Sequence, residues 1–172
     1  MLLYRSLIRP LLFSLPSEKA HHLGEILMRR MIFWQLIGSY FQSDDPRLKT
    51  SLAGIELANP IGVAAGCDKN CQFLPSLMRL GFGYTVGGTV TLGAQRGNPS
   101  PRLLRDITQK SLTNSLGFPN KGSLSVLKNL EKTHVEPLII SVSGLTTQDV
   151  LECLRRMEPR ASGIEINISS PN

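Results

Sequence analysis

The sequence predicts an α/β fold: the N-terminal portion, about four β/α units, of a TIM (β/α)8 barrel, preceded by an N-terminal helical extension. Three observations predict it. Four apolar, β-branched runs alternate with three helix-forming segments, as parallel strands joined by right-handed crossovers require. Each run ends, on its C-terminal side, in residues that are small or chemically equipped, which is where barrel enzymes assemble their sites. The turn after the first run, "AAGCDKN", is not the GxGxxG that a dinucleotide-binding doubly wound sheet would want.

The extension comprises residues 1–43. A short helix is expected over residues 2–15, with a break near Pro10 and with Leu3, Leu7, Leu11 and Leu12 beside basic residues. Pro16 and Ser17 can then start an amphipathic helix in which Ala20, Leu23, Leu27, Met31 and Trp34 recur at three- or four-residue spacing. An apolar stripe of this kind usually packs on a core, and the aromatic cluster Phe33, Trp34, Tyr40 and Phe41 also suits an interfacial anchor. No segment reaches the roughly 18 uninterrupted apolar residues that crossing a bilayer needs. Arg5 and Arg9 interrupt the first apolar stretch, and no small-residue cleavage site of an export signal follows.

From Asp44 a second region, residues 44–172, begins with a polar linker and a short strand pair around "LKTSLAGIELANP". "NPIGVAAG" reads as the first buried strand, "NCQFLPSLMRLGFG" as a helix and "YTVGGTVT" as the second strand. Residues 92–118 read as irregular. A helix over "GSLSVLKNLEK" precedes the third strand, "PLIISVSG"; a helix over "TTQDVLECLRRME" precedes the fourth, "GIEINIS".

Composition narrows the function. The 172 residues are 41% hydrophobic, enough for one ordinary core and without a disorder bias. A net charge of +6 admits nucleic acid, an anionic membrane or a phosphorylated ligand, but the cations crowd the first fifty positions (Arg5, Arg9, Lys19, Arg29, Arg30, Arg47, Lys49). That favours a surface contact through the N-terminus. Three cysteines, an odd number, suit a reducing compartment; Cys67 and Cys71 could be half a metal site, but no second pair completes it, so no metal is expected.

Four segments, "NPIGVAAGCDKN", "GGTVTLGAQRGNPSPRLLRD", "LTNSLGFPNKG" and "INISSPN", resemble, in order and spacing, successive motifs of the dihydroorotate dehydrogenase family. The N-terminal "FSLPSEKAHHL" is similar to the helical extension of its quinone-dependent, membrane-associated class. The resemblance implies oxidation of dihydroorotate to orotate, with FMN as hydride acceptor and a quinone as terminal acceptor, in pyrimidine biosynthesis. It further implies a peripheral location on the cytoplasmic face of a bacterial inner membrane; no nucleic-acid partner is expected, because the basic residues cluster on the extension.

Residue by residue, the resemblance places Ala65, Gly66, Cys67, Asp68, Lys69, Thr89, Ser141 and Asn167 against FMN. Glycine and alanine allow close backbone approach, and Thr89 offers a hydroxyl. Lys69, Asn114, Ser115, Leu116, Gly117, Phe118, Asn167 and Asn172 match substrate-holding positions, where carboxamides can answer the alternating N–H and C=O groups of a pyrimidine. Ser170 matches the catalytic base, which must pass the substrate proton onward because a serine has no useful basicity alone. His21 and Arg105 match residues bordering the quinone path, although a polar-face histidine with no role accounts for His21 equally well. Three positions depart from the family pattern. Cys67 stands for a larger apolar residue, Ser115 for an arginine, and Ser141 is the nearest candidate where the membrane class carries a flavin-contacting asparagine.

A closed barrel has eight strands and typically about 250 residues. The expectation is therefore that these four strands are half of one, that the chain alone has little or no activity, and that a complementing C-terminal half-barrel completes it. Two other readings are a non-catalytic membrane-binding or assembly fragment and a flavin barrel acting on RNA.

Overall fold

In this computed structural model residues 4–168 are described. Its centre is a four-stranded parallel sheet in the order β3 (Gly62–Val63), β4 (Tyr84–Val90), β7 (Leu138–Val142), β8 (Gly163–Ile166). These are the four expected strands, each adjacent to the next in sequence order. All of β4 after its first residue is buried, as a strand covered on both faces must be.

Helices α4 (Leu74–Arg79), α5 (Ser123–Leu130) and α6 (Thr147–Met157) supply the crossovers. Alternation along β7 divides its faces: Leu138, Ile140 and Val142 join the core with Val90, Leu74, Leu77, Val126, Leu130, Cys153 and Met157. Ser141, from the other set, is buried and turned toward β4, where it bonds to Thr89. The core is close enough at Gly87 that a Cβ there would lie 2.6 Å from the Cys71 sulfur. A capping box of Thr146 and Asp149 starts α6.

Ahead of the sheet, β1 (Thr50–Leu52) and β2 (Ile55–Leu57) form the expected antiparallel pair. They turn at Ala53 and Gly54, both at positive φ, as a two-residue hairpin turn demands.

Three expectations are corrected. The helix expected from Ser17 through Trp34 is two, α2 (Ser17–Met28) and α3 (Met31–Ile37), because Arg30 leaves helical geometry at ψ 74°. Trp34 then reaches back across the break, its indole N–H donating to the Leu27 carbonyl at 3.0 Å. The helix over residues 70–83 shrinks to α4: both oxygens of the Asp68 carboxylate accept from the backbone, at Gln72 and Phe73, holding that stretch in turns, and Pro75 occupies a first-turn position. Residues 92–118 are not irregular throughout. They contain the antiparallel hairpin β5 (Leu103–Asp106) and β6 (Ser111–Asn114), whose alternate residues Leu103, Arg105, Leu112 and Asn114 share one face. Near the N-terminus, a π-helical turn over Tyr4–Ile8 gives way to α1 (Arg9–Phe13) just before Pro10, where the break was expected.

Candidate functional site

The C-terminal ends of the central strands are tied together by short side chains. Thr89, at the end of β4, shares a hydrogen bond with Ser141 of β7 (3.0 Å), and the Asn167 amide, just past β8, donates to the Thr89 hydroxyl oxygen (3.0 Å). One polar row thus spans three adjacent strands. Thr89 and Ser141 are each the last but one residue of their strands, and Asn167 directly follows β8.

The loop after β3 forms the next wall. Its Gly66 N–H donates to the Gly88 carbonyl (2.7 Å), and the Gly88 N–H donates to the Asp68 carbonyl (3.0 Å), clamping the loop to β4. The buried Asp68 carboxylate faces inward; burial pushes its carboxyl above the ordinary value, while the backbone N–H groups of Gln72, Phe73 and Asn70 oppose that shift. Lys69 donates to the Gly66 carbonyl (2.7 Å). Burial lowers the pKa of its amine, and the negative charge of Glu25 pulls it back up.

A third wall comes from the helices and the hairpin. Arg105 on β5 reaches the carbonyl oxygens of Leu12, Phe13 and Leu15 at 3.5, 3.4 and 3.3 Å, long and shared contacts that catch the end of α1. Its guanidinium also lies 4.7 Å from the centre of the Phe13 ring. His21 faces Glu25 one helical turn on, at 3.4 Å, and a hydrogen bond from His21 is the main reason that the Glu25 carboxyl is held below its ordinary value.

Between the three walls lies one cavity of about 580 Å³. It gathers Ala65, Gly66, Lys69, Thr89, Asn114, Leu116, Gly117, Phe118 and Asn167 with His21 and Arg105, residues spread over 147 positions of sequence from His21 to Asn167. Phe118 stands at φ +51°, a conformation that a bulky side chain seldom adopts, directly after Gly117 at φ +69°. Four candidates stand apart. Cys67 is exposed and outside the cavity, Asp68 is committed to its own loop, Ser115 lies on the exposed side of its segment, and Ser141 sits behind Thr89. Ser170 and Asn172 lie outside the described residues.

Sequence reasoning gave no place at the site to Leu12, Phe13, Ala20, Leu103 or Leu112, which line the cavity, or to Glu18, Ser100 and Arg102, which join its walls. The hairpin left little signal, since neither "LLRD" nor "SLTN" alternates apolar with polar residues. For Glu18 there was none, because its partners are more than eighty residues away.

Residues 47–172 match the sequence profile of the dihydroorotate dehydrogenase family. The chain belongs to that family. It is 37% identical to a dihydroorotate dehydrogenase (quinone) of Chloroflexus aurantiacus over 99% of this chain and 52% of that one. It is likewise 37% identical to the enzyme of that name from Neisseria gonorrhoeae, over 96% of this chain and 51% of the relative. Among solved structures, the ferulenol complex of the Eimeria tenella dihydroorotate dehydrogenase superposes with a TM-score of 0.71 at 31% identity, covering 85% of this chain and 44% of that chain. The ligand-free Eimeria enzyme gives 0.69 at 30% identity, covering 85% and 46%. The chain thus spans about half the length of the curated relatives it matches, and its sheet is the corresponding part of a TIM barrel, not closed on itself.

Proposed function

We propose that this chain provides the substrate-facing and acceptor-facing walls of a quinone-dependent dihydroorotate dehydrogenase, which oxidises dihydroorotate to orotate in pyrimidine biosynthesis. The carrying observation is the single cavity in which His21 and Arg105, from the helical side, meet Lys69, Thr89, Asn114 and Asn167, from the rim.

The residues present fit FMN. Gly66, at φ +100°, would project a Cβ into open space, so its backbone leaves room for a flat ring, and the row of Thr89 and Asn167 offers hydroxyl and amide groups along the edge. When bound, FMN supplies a hydride-accepting ring and an electron carrier between two substrates. Lys69 supplies positive charge beside the substrate carboxylate, and desolvation strengthens that attraction. Asn114, Asn167 and Asn172 orient the pyrimidine. Ser170 takes the base role on its motif alone, moving the substrate proton on to water or a neighbouring hydroxyl. His21 and Arg105 border the entry of the quinone between the helices.

Residues 1–43 serve as the membrane contact, on the cytoplasmic face of a bacterial inner membrane. Leu7, Leu11, Ile32 and Leu36 are each more than 60% exposed on these helices. Among the described residues no helix is long and apolar enough to cross a membrane. Among those residues too, the parallel sheet has no further strand beyond β3 or β8. These free edges support the reading that activity needs a complementing half-barrel and that the chain alone is weakly active or inactive.

The test is the flavin absorption of the purified chain, with and without the C-terminal half of a relative, followed by anaerobic dihydroorotate. Flavin binding and bleaching only in the complemented sample are expected. Absence of both after complementation overturns the proposal.

A further inference from the structure

A chain of polar contacts runs from the first turn of α2 to the segment that walls the cavity. Glu18 accepts from the Ser100 hydroxyl at 2.9 Å through one oxygen and from the Arg102 backbone N–H at 2.9 Å through the other. The Arg102 guanidinium lies 3.6 Å from the same carboxylate, an ion pair rather than a hydrogen bond, and its Nη1 donates to the carbonyls of Arg96 (3.0 Å) and Asn98 (3.3 Å). Asn98 completes the link. Its backbone N–H donates to the Leu116 carbonyl (3.0 Å), and its side-chain amide donates to the Ser115 carbonyl (2.9 Å). The Ser115 N–H returns to the Arg102 carbonyl at 3.0 Å.

Space around this link is tight. A Cβ on Gly117 would lie 2.8 Å from Asn98, and one on Gly97 would lie 2.3 Å from the Leu116 carbonyl oxygen. Gly117 and Phe118 line both the main cavity and a second one of about 580 Å³ toward β8. Any shift of residues 96–98 therefore moves the wall that presents Asn114 and Phe118.

We propose that Glu18 and Arg102 are a positioning pair, through which docking of the helical extension fixes residues 114–118 at the cavity. Neither side chain needs to touch substrate. Glu18 is suited to the role, since its hydrogen bonds from Arg102 and Ser100 keep it ionised and it stands in a helical first turn, where negative charge is favoured. The effect on catalysis rests on the function proposed above; the structural coupling does not.

The test is residue-resolved amide exchange on the full chain, followed at Asn98 and Ser115, whose N–H groups close the link, with Ile140 in the core strand as reference. Glu18→Ala and Arg102→Ala should each speed exchange at both amides by about tenfold, the double variant should add little more, and Ile140 should not change. Glu18→Gln, which keeps the size of the side chain, should give a smaller rise at the same two amides. Unchanged exchange at Asn98 and Ser115, or an equal rise at Ile140, overturns the proposal. Orotate titration of the same samples, complemented as above, separates the two readings. Weaker binding in the variants with faster exchange supports both, whereas no binding to the wild type together with the predicted exchange pattern rejects the function and leaves the pair intact.

Discussion

The parallel sheet and the helical extension are held in place by different forces. Beyond its first residue β4 is entirely buried, and the sheet packs its apolar side chains on α4, α5 and α6. In α1, α2 and α3 no residue is buried; Met28 at the end of α2 packs against the core, directional contacts of Arg105 and Glu18 attach the helices, and the Trp34 bond ties α3 to α2. Burial of apolar area is non-directional and strong per residue, whereas a few charged hydrogen bonds are geometrically specific and individually modest. The sheet should thus behave as the stable unit and the extension as one that can reposition at low cost.

The sharpest way to break that contrast is to cavitate the sheet. Ile140→Ala removes a fully buried side chain from β7, one of the two central strands, and should lower unfolding free energy by about 2–5 kcal/mol in a denaturant titration. A loss below about 1 kcal/mol would mean that the core does not carry the stability assigned to it.

Arg105→Ala should cost less, about 1–2 kcal/mol, because its three carbonyl contacts are long and shared. Its effect should be local. Faster proteolysis within residues 4–37, with the barrel portion still resistant, is the expected pattern.

Acid separates the two regions by sign. The folded pKa of Glu18 lies below its ordinary 4.5, chiefly through the Arg102 backbone hydrogen bond, so its contribution is complete above that value and is lost as pH falls through the folded pKa. Burial raises Asp68 above its ordinary 3.8, so its ionised form costs stability at neutral pH, and that cost is relieved as pH falls through its folded pKa. As pH falls below the ordinary glutamate value the extension should loosen ahead of the sheet. Emission from Trp34, the single tryptophan, should change before the far-ultraviolet circular dichroism does. Coincident transitions would show that the two regions unfold as one.

The smallest effect on stability should come from Ile32→Ser and Leu36→Ser, both on exposed helix surface. Each should stay within about 0.5 kcal/mol, yet together they should abolish co-sedimentation with anionic liposomes. Retained liposome binding would assign those side chains to something other than a membrane contact.

The sequence by itself determined the four parallel strands, their order and the motifs of the family, because strand patterning is local and rim residues follow their strands directly. It also carried the polar residues that meet in the cavity, from His21 to Asn167, but not the apolar ones beside them such as Phe13, Leu103 and Leu112. Tertiary structure decided how long the helices are and what they touch. Arg30 breaks one helix by leaving helical geometry and the Asp68 carboxylate shortens another by accepting backbone hydrogen bonds, neither of which periodicity encodes. The β5–β6 hairpin turns an apparently irregular stretch into a wall, and the link from Glu18 to Arg102 joins residues 84 positions apart. Hydrogen bonds over such separations depend on where the chain has already been folded, and no pattern within either segment could have announced the other.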